Sequence, residues 1–147
     1  MSSTSPPQTF ANHAKLVPGF HYVGTLFVLI FTLWAFAQLF RAPGFGSIAM
    51  ASAAVALNII GFYARGFATQ NQDRIIRLEE RLRMRELLPA DLHARINDLT
   101  TSQMVALRFA SDGELADLTR RVLDEGVQDR KAIKQMIQDW RADHHRV

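Results

Sequence analysis

The chain has no cysteine, and it has no aspartate or glutamate before Asp73. The first absence removes disulfide frameworks, thiol nucleophiles and thiolate metal sites, while saying little about compartment. The second is sharper, because the first 66 residues carry only Lys15, Arg41 and Arg65 as full charges. Such asymmetry divides the sequence into parts suited to two different solvents. From Arg65 onward fifteen Lys and Arg stand against fourteen acids, so the sequence pI of 9.8 overstates the basicity of that part. A genome-coating DNA binder is not expected from so even a balance. No glycine-rich phosphate loop follows a strand pattern, and the serines and histidines stand in unrelated contexts. The sequence therefore predicts neither an enzyme nor a bound cofactor.

What is present is apolar. Leu16 to Phe40 contains no charge, and its core, Val23–Phe40, extends about 27 Å as a helix, close to the hydrocarbon thickness of a bilayer. A buried helix of a soluble protein of this length normally shows a polar face, whereas here two threonines and Gln38 are the only polar side chains. A second charge-free run, 42–64, opens with the turn Pro43-Gly44-Phe45-Gly46 and is rich in small residues: Ser47, Ala49, Ala51, Ser52, Ala53, Ala54, Ala56 and Gly61. Small residues let a neighbouring helix approach closely, so the two runs are expected to pair as an antiparallel transmembrane hairpin. His13 and Lys15 precede the first run, Arg65, Arg74 and Arg77 follow the second, and Arg41 alone marks the loop. The positive-inside rule then places both termini in the cytosol. Ala35-Phe36-Ala37 resembles a signal-peptidase site, but the apolar core is too long, its leader too extended and a second span follows at once.

Three polar residues of this region invite functional readings. Asn58, an amide well inside the second span, is an intramembrane polar contact candidate, either within the hairpin or between copies. His21 and Tyr22 fit an interfacial anchoring belt, and a proton relay through His21 lacks an ionisable partner in either span.

Beyond Thr69, residues 70–88 consist of good helix formers and stop before Pro89, continuing the second span. At 100° per residue Ile75, Leu78 and Leu82 form a narrow apolar stripe, Arg74, Arg77, Arg81 and Arg85 a strip beside it, and Asp73, Glu79, Glu80 and Glu86 fall elsewhere. Four aligned arginines near a membrane suit anionic lipid headgroups, each worth on the order of 1 kcal/mol there. A solvated face that merely enforces topology also accounts for basic residues here, though not for their alignment.

Past Pro89 four short helical segments are expected. The first carries Leu92, Ile96 and Leu99 with Asp91 as N-cap. The second begins near Thr100 with a Thr100/Gln103 capping box and turns Met104, Val105 and Leu107 inward. The third opens on a second such capping box, Ser111-Asp-Gly-Glu114, carries Leu115, Leu118 and Val122, and closes at Gly126. The fourth opens near Asp129 and places Ile133, Met136, Ile137 and Trp140 on one face. Trp140 fits a core position, and as an aromatic it is also a partner-interface candidate. Asp139, Asp143, His144 and His145 suggest a metal set, but a polar helix end explains them, and no metal site is expected. Arg130, Lys131 and Lys134 read as the wet face of this helix.

Four stretches in order, Asn12–His21, Gln72–Arg83, Leu107–Leu115, and Ile133-Lys134 with Trp140–Asp143 and Arg146-Val147, resemble a family of bacterial inner-membrane proteins classed only as a domain of unknown function. The resemblance leaves out only the first ten residues and implies a two-span inner-membrane protein with a cytosolic helical domain. It supplies no catalytic residues. A permease label attached to some members is not supported by two spans without a broken helix or paired charges.

The resulting expectation is an all-α chain. Residues 1–19 form a cytosolic segment, 20–40 a first transmembrane helix, 41–46 a non-cytosolic loop, 47–65 a second transmembrane helix, 66–88 a basic juxtamembrane helix and 89–147 a cytosolic bundle of about four short helices. The expected role is a non-enzymatic scaffold or interaction protein of the bacterial inner membrane. It would meet anionic phospholipid headgroups, a protein partner or a second copy of itself, and no nucleic acid. The alternative is an accessory or pore-forming subunit of a larger transport complex.

Overall fold

A computed structural model describes residues 8–12 and 16–143 of the chain. Among these residues the fold is all-helical, with a single isolated β-bridge between Ala110 and Trp140 and no strand. The chain divides into two compact units, 15–69 and 1–14 with 70–147.

In the first unit a π-helical turn, Gly19–Gly24, runs into α1, Thr25–Arg41. Leu, Phe and Ala without an interior Gly or Pro carry α1 without interruption. It ends where Pro43 forces Ala42 out of the helical region, at φ −142° and ψ 77°. Helix α2 begins at Phe45. Ser47 secures the turn: its Oγ accepts from the Gly44 N–H at 2.9 Å and lies 2.9 Å from the Ala42 carbonyl oxygen. Of the small residues in the second apolar run, Ser47, Ala51 and Ala54 are buried, as is Ala35 of α1, whereas Ala49, Ser52, Ala53 and Ala56 are exposed. Thr32 meets Asn58, and Phe36 and Leu39 share a hollow with Ile48 and Val55, contacts that run in an antiparallel sense. The outward side chains are large and apolar, Phe27, Leu33 and Ile60 among them. Gly19–Arg41 and the apolar part of α2 are each long and apolar enough to cross a bilayer.

Helix α2 runs unbroken from Phe45 to Leu87 over 43 residues, so the expected continuation of the second apolar run into the Arg-bearing segment holds. In the second unit its Ile76, Glu80 and Met84 are buried, as is Leu88 just beyond its end. The core that includes Met84 and Leu88 also takes Leu92, Ile96 and Leu99 from α3, Ala90–His93, and the 3-10 turn Ala94–Asp98 that follows it. Helix α4, Thr101–Leu107, is the central element and buries Gln103 through Leu107. Its expected capping box is present, with Gln103 N–H donating to Thr100 Oγ1 and Thr100 N–H donating to Gln103 Oε1. Helix α5, Leu115–Asp124, buries Leu115, Leu118 and Val122, and Gly126 follows at φ +63°, a left-handed position suited to glycine. Helix α6, Arg130–Met136, is capped by Asp129, whose carboxylate accepts from the Ala132 N–H.

Three local expectations are corrected. Asp91 does not cap: Pro89 holds the N-cap position, and the Asp91 carboxylate accepts from Arg120 at 2.9 Å, which also keeps its pKa below the usual value of 3.8. Ser111 does not cap α5 with its side chain. Glu114 stands at the N-cap, and its carboxylate turns to the backbone N–H groups of Gln138 and Asp139. The last helix stops at Met136 and does not reach Trp140. The chain leaves the helix at Ile137 and bends through 138–139, where two backbone bonds clamp it to the turn after α4, Ser111 N–H to the Asp139 carbonyl and Arg141 N–H to the Phe109 carbonyl. Non-local hydrogen bonding overrides the helical period there.

Candidate functional site

The helical part of α2 within the second unit has two opposite faces. Ile76, Glu80 and Met84 lie on one side, and each step of four residues keeps them there. Arg83, beside them, is the residue that fastens this face. Its Nη1 donates to Glu80 Oε2 at 3.1 Å, its Nε and Nη2 donate to Asp112 Oδ1 at 2.9 and 2.6 Å, and Nη2 also donates to the Ala110 carbonyl at 2.7 Å. Glu80 is buried, with Arg141 3.7 Å away on its other oxygen. Burial pushes the Glu80 carboxyl above its ordinary 4.5, and the charges of Arg83, Arg141 and Arg108 oppose that rise. A second tie links Arg130 of α6 to Asp73 at 2.8 Å and to Ser102.

The opposite face is bare. Ile75, Leu78 and Leu82, the expected apolar stripe, are exposed at 58, 63 and 55 %. Three residues of the expected Arg strip, Arg74, Arg77 and Arg81, border a shallow hollow with Leu78, and Arg85 is exposed farther along. None of these four arginines makes a hydrogen bond or ion pair with a described residue, and the Nε of Arg81 is shielded from solvent without a partner. Glu79 and Glu86, on the other flank of the stripe, are likewise exposed and unpaired among the described residues. The sorting of charge seen in the sequence therefore separates arginines by use: Arg83 is consumed by the core, while Arg74, Arg77 and Arg85 are exposed and Arg81 is half-buried.

Trp140 lies half-buried with its ring 5.1 Å from that of Phe109, on the edge of the core. Phe109, fully buried, is the hub that sequence reasoning missed: Arg108 lies 4.2 Å and Lys134 5.1 Å from its ring centroid. Lys134, expected on a wet face, is half-buried there. Arg108 in turn donates to Asp143 Oδ2 at 2.8 Å and to the Val105 carbonyl at 2.6 Å. Asp143 is thus engaged by an arginine, Asp139 has no metal-binding companions among the described residues, and His144 and His145 lie outside them. The Gln8 side-chain amide closes the same region: it donates to the Asp143 carbonyl at 3.1 Å and accepts from the Asp143 N–H at 2.9 Å.

In the first unit, Asn58 Nδ2 donates to Thr32 Oγ1 and to the Ala54 carbonyl, both at 2.8 Å, so it supplies a hydrogen bond between α1 and α2. His21 Nδ1 is 3.1 Å from the backbone of Val17, and its ring packs edge-on against Phe20. His13 and Lys15 lie outside the described residues.

A cysteine-free, acid-free apolar pair of helices followed by a charged helical domain defines a class before it defines a protein. The chain belongs to the Family of unknown function (DUF6526), which it matches over residues 2–147. No curated protein and no solved structure matches it.

Proposed function

We propose that this protein is a non-enzymatic, membrane-anchored interaction module of the bacterial inner membrane. The apolar pair α1 and α2 forms the transmembrane hairpin, and the domain beyond it is presented in the cytosol beside anionic lipid headgroups. The observation that carries this reading is the outer face of α2, where four arginines have no partner among the described residues beside exposed Ile75, Leu78 and Leu82 while the core packs on the other side. These guanidiniums stand on the helix that continues an apolar run, and arginine suits phosphate oxygens through its planar fork of donors. The large apolar side chains turned outward along α1 suit hydrocarbon, since water would disfavour that much exposed apolar surface. Support for cytosolic placement of both termini comes from Gln8, which shares hydrogen bonds with Asp143 and so keeps the two ends of the chain on one side.

The test is lipid retention by the full-length protein extracted in mild detergent, read by native mass spectrometry. Wild type is expected to keep phosphatidylglycerol or cardiolipin in preference to phosphatidylethanolamine, and the variant with Arg74, Arg77, Arg81 and Arg85 all changed to Gln to lose that preference. Equal retention of all three lipids by wild type would remove the lipid part of the proposal. Release of the protein from membranes by alkaline carbonate would remove the anchor.

A further inference from the structure

The bare face of α2 has a pattern finer than an apolar stripe beside a basic strip. Asn71, Ile75, Leu78, Leu82 and Arg85 recur at steps of four, three, four and three, which is the spacing of one coiled-coil seam. With Ile75 and Leu82 as core a positions and Leu78 as the d position between them, Arg74 and Arg81 fall at g and Glu79 and Glu86 at e. In a parallel two-stranded coil each g residue faces the e residue five positions later on the other strand. Arg74 would then meet Glu79 of a second copy, and Arg81 would meet Glu86 of a second copy, twice over by symmetry. An antiparallel pairing instead sets g against g and e against e, arginine on arginine and glutamate on glutamate.

We infer that the Ile75–Leu78–Leu82 face binds a second copy of this chain in parallel, as a short two-stranded coiled coil flanked by four Arg–Glu pairs. Three further features of the structure favour that occupant. The seam residues are exposed large hydrophobics, and Ile76, Glu80 and Met84, which are buried, lie about 180° away around the helix, so the seam stays outside the core, with Leu82, Glu79 and Glu86 also bordering a hollow that Arg108, Asp112 and Arg141 line. All four flanking charges, Arg74, Arg81, Glu79 and Glu86, are unpaired among the described residues. The first layer pair, Ile75 at a followed by Leu78 at d, has the order that favours parallel dimers. Arg77, at an outer c position, stays turned away from the seam and keeps its place for lipid. Arg85 at d ends the apolar seam, which limits it to three layers. So short a seam needs its partners held at high local concentration in one orientation, and for that the inference rests on the membrane anchoring proposed above.

The absence of native cysteine makes the test direct. Single substitutions Leu78→Cys, Leu82→Cys and Arg77→Cys are made in the full-length protein and oxidised with copper phenanthroline in native membranes. Leu78→Cys and Leu82→Cys are expected to form disulfide dimers about tenfold faster than Arg77→Cys, because d and a positions face their counterparts and c positions do not. Equal rates at all three overturn the seam. Charge reversal gives the second arm, in the Leu78→Cys background. The R74E/R81E variant and the E79R/E86R variant should each lose self-crosslinking about tenfold, and the two expressed together should recover it as a mixed dimer. Self-crosslinking of either variant at the rate of the mixture overturns the proposal, as does failure of the mixture to recover. Arginines serving lipid alone predict no recovery in the mixture. A parallel alkaline carbonate wash reports the anchor separately, so loss of anchoring and loss of the seam give different results.

Discussion

Replacing Arg83 with leucine should loosen the second unit. The substitution removes four hydrogen bonds: one to Glu80, two to Asp112 and one to the Ala110 carbonyl. It leaves Glu80, whose side chain is 6 % exposed, with only Arg141 at 3.7 Å, and it orphans a carbonyl beside the core. Breaking a buried pair by deleting one partner costs about 3–5 kcal/mol. Asp112 is 66 % exposed and regains water, so the loss is reduced to about 2–3 kcal/mol. Amide hydrogen exchange of α4 is the suitable assay, since its buried residues report opening of this unit without requiring the apolar helices to unfold. At about 1.4 kcal/mol per tenfold, exchange at Met104–Leu107 should speed up by roughly 30- to 150-fold. The double variant Arg83→Leu/Glu80→Leu should recover at least half of that loss, because the stranded carboxylate is gone. Exchange within twofold of wild type in the single variant, or no recovery in the double, would refute the assignment of Arg83 as the clamp.

Thr119→Val should stabilise the unit by about 1 kcal/mol, since its fully buried hydroxyl has no partner among the described residues; a lower urea midpoint would contradict this. Gly126→Ala should cost about 1 kcal/mol by forcing a side chain into a left-handed backbone, read as the same midpoint. Glu80 binds its proton more tightly in the fold than in the unfolded chain, so its protonated form contributes stability fully below pH 4.5, lost as pH rises through the raised value. The urea midpoint followed by Trp140 fluorescence, with Trp34 changed to Phe, should therefore fall over that window, and Glu80→Gln should flatten the fall.

Local signals in the sequence were legible where short-range chemistry decides. The Thr100/Gln103 box, Asp129 and Gly126 sit where their cap chemistry requires, and the apolar periodicities of 92–99, 104–107, 115–122 and 133–137 point inward. The expectations failed where distant partners competed for the same groups. Asp91 is drawn to Arg120, and Glu114 to the backbone at 138–139; the helical period through Trp140 yields to a bridge with Ala110. On α2 the same competition hid Arg83, which differs from its neighbours only in what lies across from it. The stripe Ile75–Leu78–Leu82 was legible as a pattern, but its outward direction was not. Buried Ile76, Glu80 and Met84 form a less regular set, with a carboxylate in its middle that Arg83 holds at 3.1 Å.

The amide of Gln8 bonded to Asp143 has a consequence in time. The two residues lie 135 positions apart, so at 5–20 residues per second the ribosome makes the second on the order of ten seconds after the first. Trp140, the Asp139 and Arg141 backbone bonds and the Arg108–Asp143 pair all belong to that late stretch. Phe109 therefore waits for one side of its enclosure until synthesis passes residue 140, long after both apolar helices have been made. During that interval the nascent chain carries an unfinished core, and a chaperone or a stall acting after residue 110 would meet that exposed aromatic hub and not a finished domain.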